Sequence, residues 1–103
     1  MPELIVEISR FVDEDPPGFV ECTLIDAQGN RHAFVEKLPV VTCANLWAAS
    51  RYPQPGVIRC RIEARWQDER GRAVVQVSTE LPDHVESTSG QSSFVVLTAQ
   101  VRE

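Results

Sequence analysis

Apolar and polar side chains alternate along much of the chain, most clearly in the segment 57–67. A period of two is that of a β-strand with one buried face. The segment therefore predicts an antiparallel strand that covers a core on one side and meets water on the other. Its inward set is Ile58, Cys60, Ile62, Ala64 and Trp66, and its outward set is Arg59, Arg61, Glu63, Arg65 and Gln67.

The residues that follow predict a hairpin partner for this strand. Asp68–Gly71 has an acid, polar residues and a glycine in the order that suits a tight turn with the glycine left-handed. Pairing Gln67 with Arg72 sets inward residues opposite inward residues, whereas a β-bulge would shift the register by one and break this match. In this register Trp66 faces Ala73, Ala64 faces Val75, Ile62 faces Val77, Cys60 faces Thr79, Arg61 faces Ser78 and Arg59 faces Glu80.

The N-terminal part predicts a strand, a stiff loop and a second hairpin. The loop is DEDPPG, residues 13–18, whose prolines remove ladder donors and end the first strand. DAQGN, residues 26–30, has the composition of a hairpin loop between the next two strands. The apolar faces comprise Leu4, Val6, Ile8 and Val12 in the first strand and Val20, Cys22 and Leu24 in the second.

The register of this second hairpin stays open at the sequence level. A short loop pairs Leu24 with His32 and Cys22 with Phe34, whereas a longer loop pairs them with Ala33 and Val35. A shift of one residue turns every side chain to the other face of the sheet. The direction in which His32 points depends on that choice.

Two segments have weaker patterns. Cys43–Ser50 predicts one short helix, with Thr42 as its N-cap and prolines at 53 and 55 to prevent its continuation. Trp47 is expected to anchor this helix on the sheet, because two helical turns are not stable alone. The stretch 81–93 collects a histidine, two acids and several hydroxyls, and predicts a hairpin with its tip at Ser89-Gly90 rather than a catalytic site.

The pattern as a whole predicts an all-β, mainly antiparallel domain that spans residues 1–103. Six or seven strands follow one another in hairpin order. The chain lacks the strand–helix–strand alternation that is typical of a parallel sheet. Small antiparallel sheets often close on themselves to remove their edges. We therefore expect an SH3-like or OB-like barrel with one short helix near residues 43–50, and a β-sandwich as the second choice.

Composition adds charge and compartment to this picture. The formal net charge is −5, which disfavours phosphate backbones and anionic lipid and favours a basic partner. No apolar run approaches the ~20 residues that span a bilayer, and no secretory leader is evident. Three cysteines suit free thiols in the cytoplasm, and nine arginines against one lysine suggest a bacterial coding bias.

Motifs for catalysis and cofactors are not found. The cysteines and histidines lack the close spacing of a zinc site, and the glycines form no phosphate-binding loop. Cys22 and Cys60 lie on predicted core faces, whereas Cys43 would begin the helix, where a thiol pKa is lowered. His84 and Glu86 point the same way on an extended segment, and we expect them to face solvent. We therefore expect no metal, no cofactor and no enzymatic activity.

Three surfaces are candidates for binding. They are the acidic loop with Asp13, Glu14 and Asp15, the aromatic segment with Trp47 and Tyr52, and the arginine face with Arg59, Arg61 and Arg65. Aromatic residues and arginine are enriched at binding hot spots. We expect a non-enzymatic module for a basic protein partner, such as an acidic immunity-type or inhibitor-type protein.

Two other functions remain open on the sequence. The arginine face suits a nucleic-acid-binding barrel, and a pocket near Cys43 and His84 suits a small ligand or an enzymatic reaction. A homodimer could form through an edge strand, for which the segments 4–12 and 93–101 are candidates.

Overall fold

The computed structural model describes all residues, 1–103, as eight strands, one short α-helix and one turn of 3₁₀-helix. The strands are β1 (Glu3–Asp13), β2 (Phe19–Ile25), β3 (Arg31–Lys37), β4 (Gln54–Arg59), β5 (Arg61–Gln67), β6 (Ala73–Ser78), β7 (Ser93–Leu97) and β8 (Val101–Arg102). The α-helix, α1, is Leu38–Val41, and the 3₁₀ turn is Thr98–Gln100. Neither helix has the length and apolar character of a transmembrane segment.

The strands form two sheets in which every pair is antiparallel. One sheet has the order β3-β2-β1-β4 with β8 also on β1, and the other has the order β5-β6-β7. Only Cys60 separates β4 from β5, so the chain passes from one sheet to the other at this residue. The prediction of a mainly antiparallel β domain is confirmed, but the two sheets do not close into a barrel.

Both sheets contribute to one core. Ten of its sixteen buried residues come from alternate positions of β1, β2, β6 and β7, as a period of two requires. Each fully buried aliphatic side chain contributes about 1.5–3 kcal/mol to folding. These strands supply Leu4, Val6, Ile8, Val20, Cys22, Leu24, Val75, Val77, Phe94 and Val96.

Strand β1 departs from its predicted face beyond Ile8. Its register with β2 shifts between Ile8 and Arg10 and again after Phe11. Phe11 consequently packs against the core, whereas Val12 is exposed. The prediction that Val12 shares the inward face is therefore wrong. Because β1 has strands on both sides, it is also not the free edge that the homodimer prediction required.

The β5–β6 hairpin follows the predicted register only at its base. Ile62 faces Val77 as predicted, but a bulge between Ile62 and Ala64 shifts the rest of the strand by one residue. Trp66 therefore faces Val74 instead of Ala73, and it is exposed rather than inward. The extra residue in β5 is the physical reason, since one added residue reverses the facing of all residues beyond it.

The β2–β3 hairpin takes the first of the two open registers. Leu24 faces His32 and Cys22 faces Phe34. His32 thus lies on the core side of β3, where its ring meets the ring of Phe94 edge-on at 4.9 Å.

The predicted helix at residues 43–50 is wrong. The α-helix lies earlier, at Leu38–Val41, with a proline in its first turn. Thr42 follows this helix, and its Oγ1 accepts a hydrogen bond from the Ala44 amide at 3.0 Å, which forms a local turn instead of a helix cap.

The stretch 81–92 contains two turns, at residues 81–83 and 88–89, and β7 begins at Ser93. The predicted tip is confirmed, because the Gly90 amide donates to the Ser87 carbonyl at 2.9 Å. The residues before it are not a strand, and Val85 and Ser87 are buried within this stretch. Ser87 Oγ hydrogen-bonds Ser89 Oγ at 2.9 Å, so these two hydroxyls stabilise the turn.

Candidate functional site

Two of the three predicted surfaces lie next to each other in the structure. The β1–β2 loop lies beside the segment 46–47, and between them is a groove of about 280 Å³. We call it the acidic–aromatic groove. It is lined by Phe11, Glu14, Pro16, Pro17, Gly18, Leu46 and Trp47.

Gly18 makes this close packing feasible. Its φ is +88°, a conformation that glycine adopts without strain, and a Cβ there would lie 2.8 Å from Cζ of Phe11. The Gly18 carbonyl accepts a hydrogen bond from the Leu38 amide at 2.9 Å. The loop is therefore fastened both to the ring of Phe11 and to the start of α1.

Trp47 presents its indole to solvent while its backbone is held. Tyr52 Oη donates to the Trp47 carbonyl at 2.6 Å, and the Trp47 amide donates to Ser50 Oγ at 3.0 Å. The residue is 56% exposed, so the prediction that it anchors a helix on the core is wrong. Leu46 takes that position instead and packs against the core.

The carboxylates beside the groove have no cationic partner within the chain. Asp13, Glu14 and Asp15 are all exposed, and none of them forms a salt bridge. Asp13 Oδ1 accepts the Asp15 amide at 2.9 Å, and the Asp15 carbonyl accepts the Gly18 amide at 2.7 Å. The loop thus has a defined turn and three negative charges that are free to meet an external cation.

The predicted arginine face is not a single face. Arg61 is opposite Ser78 and Arg65 is opposite Val75, and since β6 residues 75 and 78 point to opposite sides, the two arginines do as well. The bulge in β5 is the cause. Arg59, which belongs to the other sheet, is a third separate position.

Two of these arginines are already paired with carboxylates. Arg59 donates to both carboxylate oxygens of Asp83 at 2.7 and 3.0 Å, and this partner raises the pKa of Arg59 above its ordinary value. Arg65 lies 2.6 Å from the Glu103 carboxylate. Only Arg61 of the predicted set is exposed without a carboxylate partner.

The three thiols differ in burial, and burial keeps two of them protonated. Burial is the main cause that raises the pKa of Cys22 to about 12 and that of Cys60 to about 11, so both are protonated at neutral pH. Cys43 is exposed at the rim of a cleft of about 370 Å³ that also touches Arg59 and Asp83. It does not begin a helix, contrary to the prediction, because α1 ends at Val41.

The pocket expected near Cys43 and His84 is not assembled. His84 is exposed with a left-handed φ of +53°, and it does not line the cleft at Cys43. His84 and Glu86 form no hydrogen bond with each other. No group of three histidine, cysteine or acidic side chains lies close enough together to hold a metal ion.

Besides the cleft at Cys43, the structure has a cleft between two hairpin tips that the sequence did not predict. The tips 26–30 and 68–72 share the order Asp-x-x-Gly-x and the same hydrogen bonds. In each tip an aspartate Oδ1 accepts two backbone amides at 2.9 Å, and the glycine has a positive φ. The repeated order was visible in the sequence, but the proximity of the tips was not.

Asp26 in the first tip has a further partner. Its Oδ2 lies 2.8 Å from His32 Nε2, and both side chains are only 12% exposed. Burial raises the pKa of Asp26, but the hydrogen bonds from His32 and from the amides of Asn30 and Gln28 outweigh burial, so its pKa lies below the ordinary value. The carboxylate is therefore ionised at neutral pH and orients the imidazole.

Comparison of the chain with protein-family models, curated proteins and solved structures gave no match.

Proposed function

We propose that this protein is a non-enzymatic interaction module that binds a basic protein segment at the acidic–aromatic groove. The observation that carries the proposal is the exposed indole of Trp47 beside Glu14 and the proline pair. Tryptophan is among the residues that dominate binding energy at protein interfaces.

The chemistry of the groove favours a cationic and partly apolar partner. A guanidinium group can stack on the Trp47 indole, an interaction of about 0.5–2 kcal/mol, and can hydrogen-bond a carboxylate in a bidentate manner. The three unpaired carboxylates offer such acceptors. Because prolines 16 and 17 and the hydrogen bonds of the loop already order it, binding costs little conformational entropy.

The charge of the whole chain supports the same partner. A formal net charge of −5 accelerates the approach of a basic protein and repels nucleic acid. We propose that the module covers a basic surface of another protein, as acidic immunity and inhibitor proteins do. We place it in the cytoplasm, where thiols such as those of its three cysteines stay reduced.

Peptide selection on the immobilised full chain tests the proposal. Short random peptides displayed on phage should be enriched in sequences that combine arginine or lysine with apolar residues. Binding of the selected peptides should be lost on Trp47→Ala and should weaken as salt is raised, because exposed charge pairs are screened. It should persist on Trp66→Ala, which is the matched control because Trp66 is also exposed but lies away from the groove.

Two results would contradict the proposal. One is a selection without preference for cationic peptides, and the other is equal binding to the Trp47→Ala and Trp66→Ala variants. Retention of the wild-type chain on single-stranded oligonucleotides at low salt would favour the nucleic-acid alternative instead.

A further inference from the structure

The cleft between the two hairpin tips is a separate site. It has a volume of about 810 Å³, against about 280 Å³ for the acidic–aromatic groove. The loop of the groove precedes β2 and the first tip follows it, and seven residues at ~3.3 Å each place the two sites roughly 20 Å apart. A ligand in this hairpin-tip cleft would therefore not occupy the groove.

Hydrogen bonds fix the walls of the hairpin-tip cleft relative to each other. Arg72 Nη2 donates to the Ala27 carbonyl at 2.9 Å, and Arg72 Nε donates to Asp68 Oδ2 at 2.8 Å. The Ala27 amide donates to the Val95 carbonyl of β7 at 2.9 Å. Each tip is thereby tied to the same sheet, so the cleft is formed before any ligand enters it.

An aromatic surface lines the cleft because of the bulge in β5. Trp66 lies in one row with Val74 and Leu97 across the sheet, on the side opposite the core residue Val75. The residue is 42% exposed and, together with Leu97, lines the cleft. An indole in this position is a flat apolar surface that a ring can cover.

Polar side chains without an internal partner line the same cleft as this indole. Gln28, Gln67, Glu69 and Arg70 line the cleft, are exposed and form no side-chain hydrogen bond within the chain. Together they offer donors and acceptors in both neutral and charged form. The lining has three carboxylates and two guanidinium groups, a formal charge of −1 that disfavours phosphorylated ligands.

We infer that the hairpin-tip cleft binds a neutral saccharide, with one sugar ring on Trp66. A sugar ring has an apolar C–H face that suits an indole, and its edge carries hydroxyls that both donate and accept hydrogen bonds. The unpartnered amides, carboxylate and guanidinium around Trp66 meet those requirements. In ligand-binding sites a few polar groups fix the orientation of the ligand, and the unpartnered side chains beside Trp66 can do so here.

Tryptophan fluorescence tests this inference, because the chain has only two tryptophans. In the Trp47→Phe variant, Trp66 is the sole reporter. Titration of the full chain with maltose, cellobiose and diacetylchitobiose should give a saturable change for at least one of them. Arg70→Ala and Gln67→Ala should weaken that binding. Trp66→Ala removes the reporter, so its affinity is measured by calorimetry and should be lower by about tenfold or more.

The matched control is Trp66→Phe, in which Trp47 reports and should not respond to sugar. An equal response of both reporters, or no saturable response to any of the three sugars, would overturn the inference. Binding of adenosine in place of the sugars would also overturn it, since a nucleobase can stack on Trp66 as well. Circular dichroism melting of each variant establishes that a lost response does not come from unfolding. Loss of sugar binding would leave the peptide selection at the acidic–aromatic groove unaffected.

Discussion

Asp26 joins the local structure of a turn to the interior of the protein. Its Oδ1 fixes the backbone of the tip through the amides of Gln28 and Asn30, and its Oδ2 holds His32 against Phe94. Asp68 forms the equivalent turn in the other tip, but its second oxygen meets Arg72 near the surface instead of a half-buried histidine. Variants at the two aspartates can therefore separate the contribution that the turn makes to stability from the contribution of the contact with His32.

Asp26→Asn should lower the free energy of unfolding by about 1–3 kcal/mol, because hydrogen bonds to a charged group are lost. The pKa of Asp26 is lowered in the folded state, so its stabilisation is present above the ordinary pKa of an aspartate and disappears as pH falls through the folded value. The difference between wild type and variant in urea unfolding should therefore be full at neutral pH and shrink in acid. Asp68→Asn should cost less, and an equal cost for both would contradict the role of His32.

The thiols give a second test at this scale. Cys22 and Cys60 are buried with raised pKa values, whereas Cys43 is exposed. Because the thiolate is the reactive form, a disulfide-exchange reagent at neutral pH should modify one thiol in the folded protein and all three in denaturant. Rapid modification of two or three thiols in the folded protein would contradict the burial of Cys22 and Cys60 in the core.

The strands show how far a repeating pattern predicts structure. The period of two correctly placed Leu4, Val6 and Ile8 inside, because the alternation of side chains along a regular strand is a local property of the backbone. The bulges in β1 and β5 were not predicted, since one extra residue leaves no mark on composition but reverses the facing of Val12 and Trp66. The same reversal removed the arginine face and created the aromatic surface of the hairpin-tip cleft.

The segment between β3 and β4 shows where local sequence signals fail to predict irregular structure. The sequence around Cys43–Ser50 has cap and stop signals for a helix, but the helix forms over Leu38–Val41, where Leu38 and Val41 are buried. Burial in the tertiary structure thus outweighed local signals. The groove at Trp47 was not predicted for a related reason, since its two halves are distant in sequence and meet only after folding.

Gly56 tests how α1 packs on the first sheet. A Cβ at this residue would lie 2.8 Å from Ile8 Cγ1 and 3.3 Å from the Val41 carbonyl. Gly56→Ala should therefore destabilise the protein by about 1–3 kcal/mol in urea unfolding. Without this close approach, the same substitution in extended backbone would stabilise the folded state, because alanine restricts the unfolded chain. A gain in stability would contradict the described packing of β1, α1 and β4.

The whole molecule carries two kinds of surface at separate sites, whose linings share no residue. The acidic–aromatic groove has unpaired negative charge and an exposed indole, which suit a cationic segment. The hairpin-tip cleft has nearly balanced charge and unpartnered amides, which suit a neutral ligand. Most of the arginines that were expected to bind are held by carboxylates of the chain itself, as with Arg59 and Asp83.

The most direct test of the proposed function is an NMR titration of the isotope-labelled full chain with a selected cationic peptide. Amide signals of residues 11–15, Gly18 and 46–52 should shift together and saturate, and those of residues 61–67 should not move. Shifts that concentrate on residues 61–67, or that spread evenly over the chain, would contradict the assignment of the acidic–aromatic groove as the binding site.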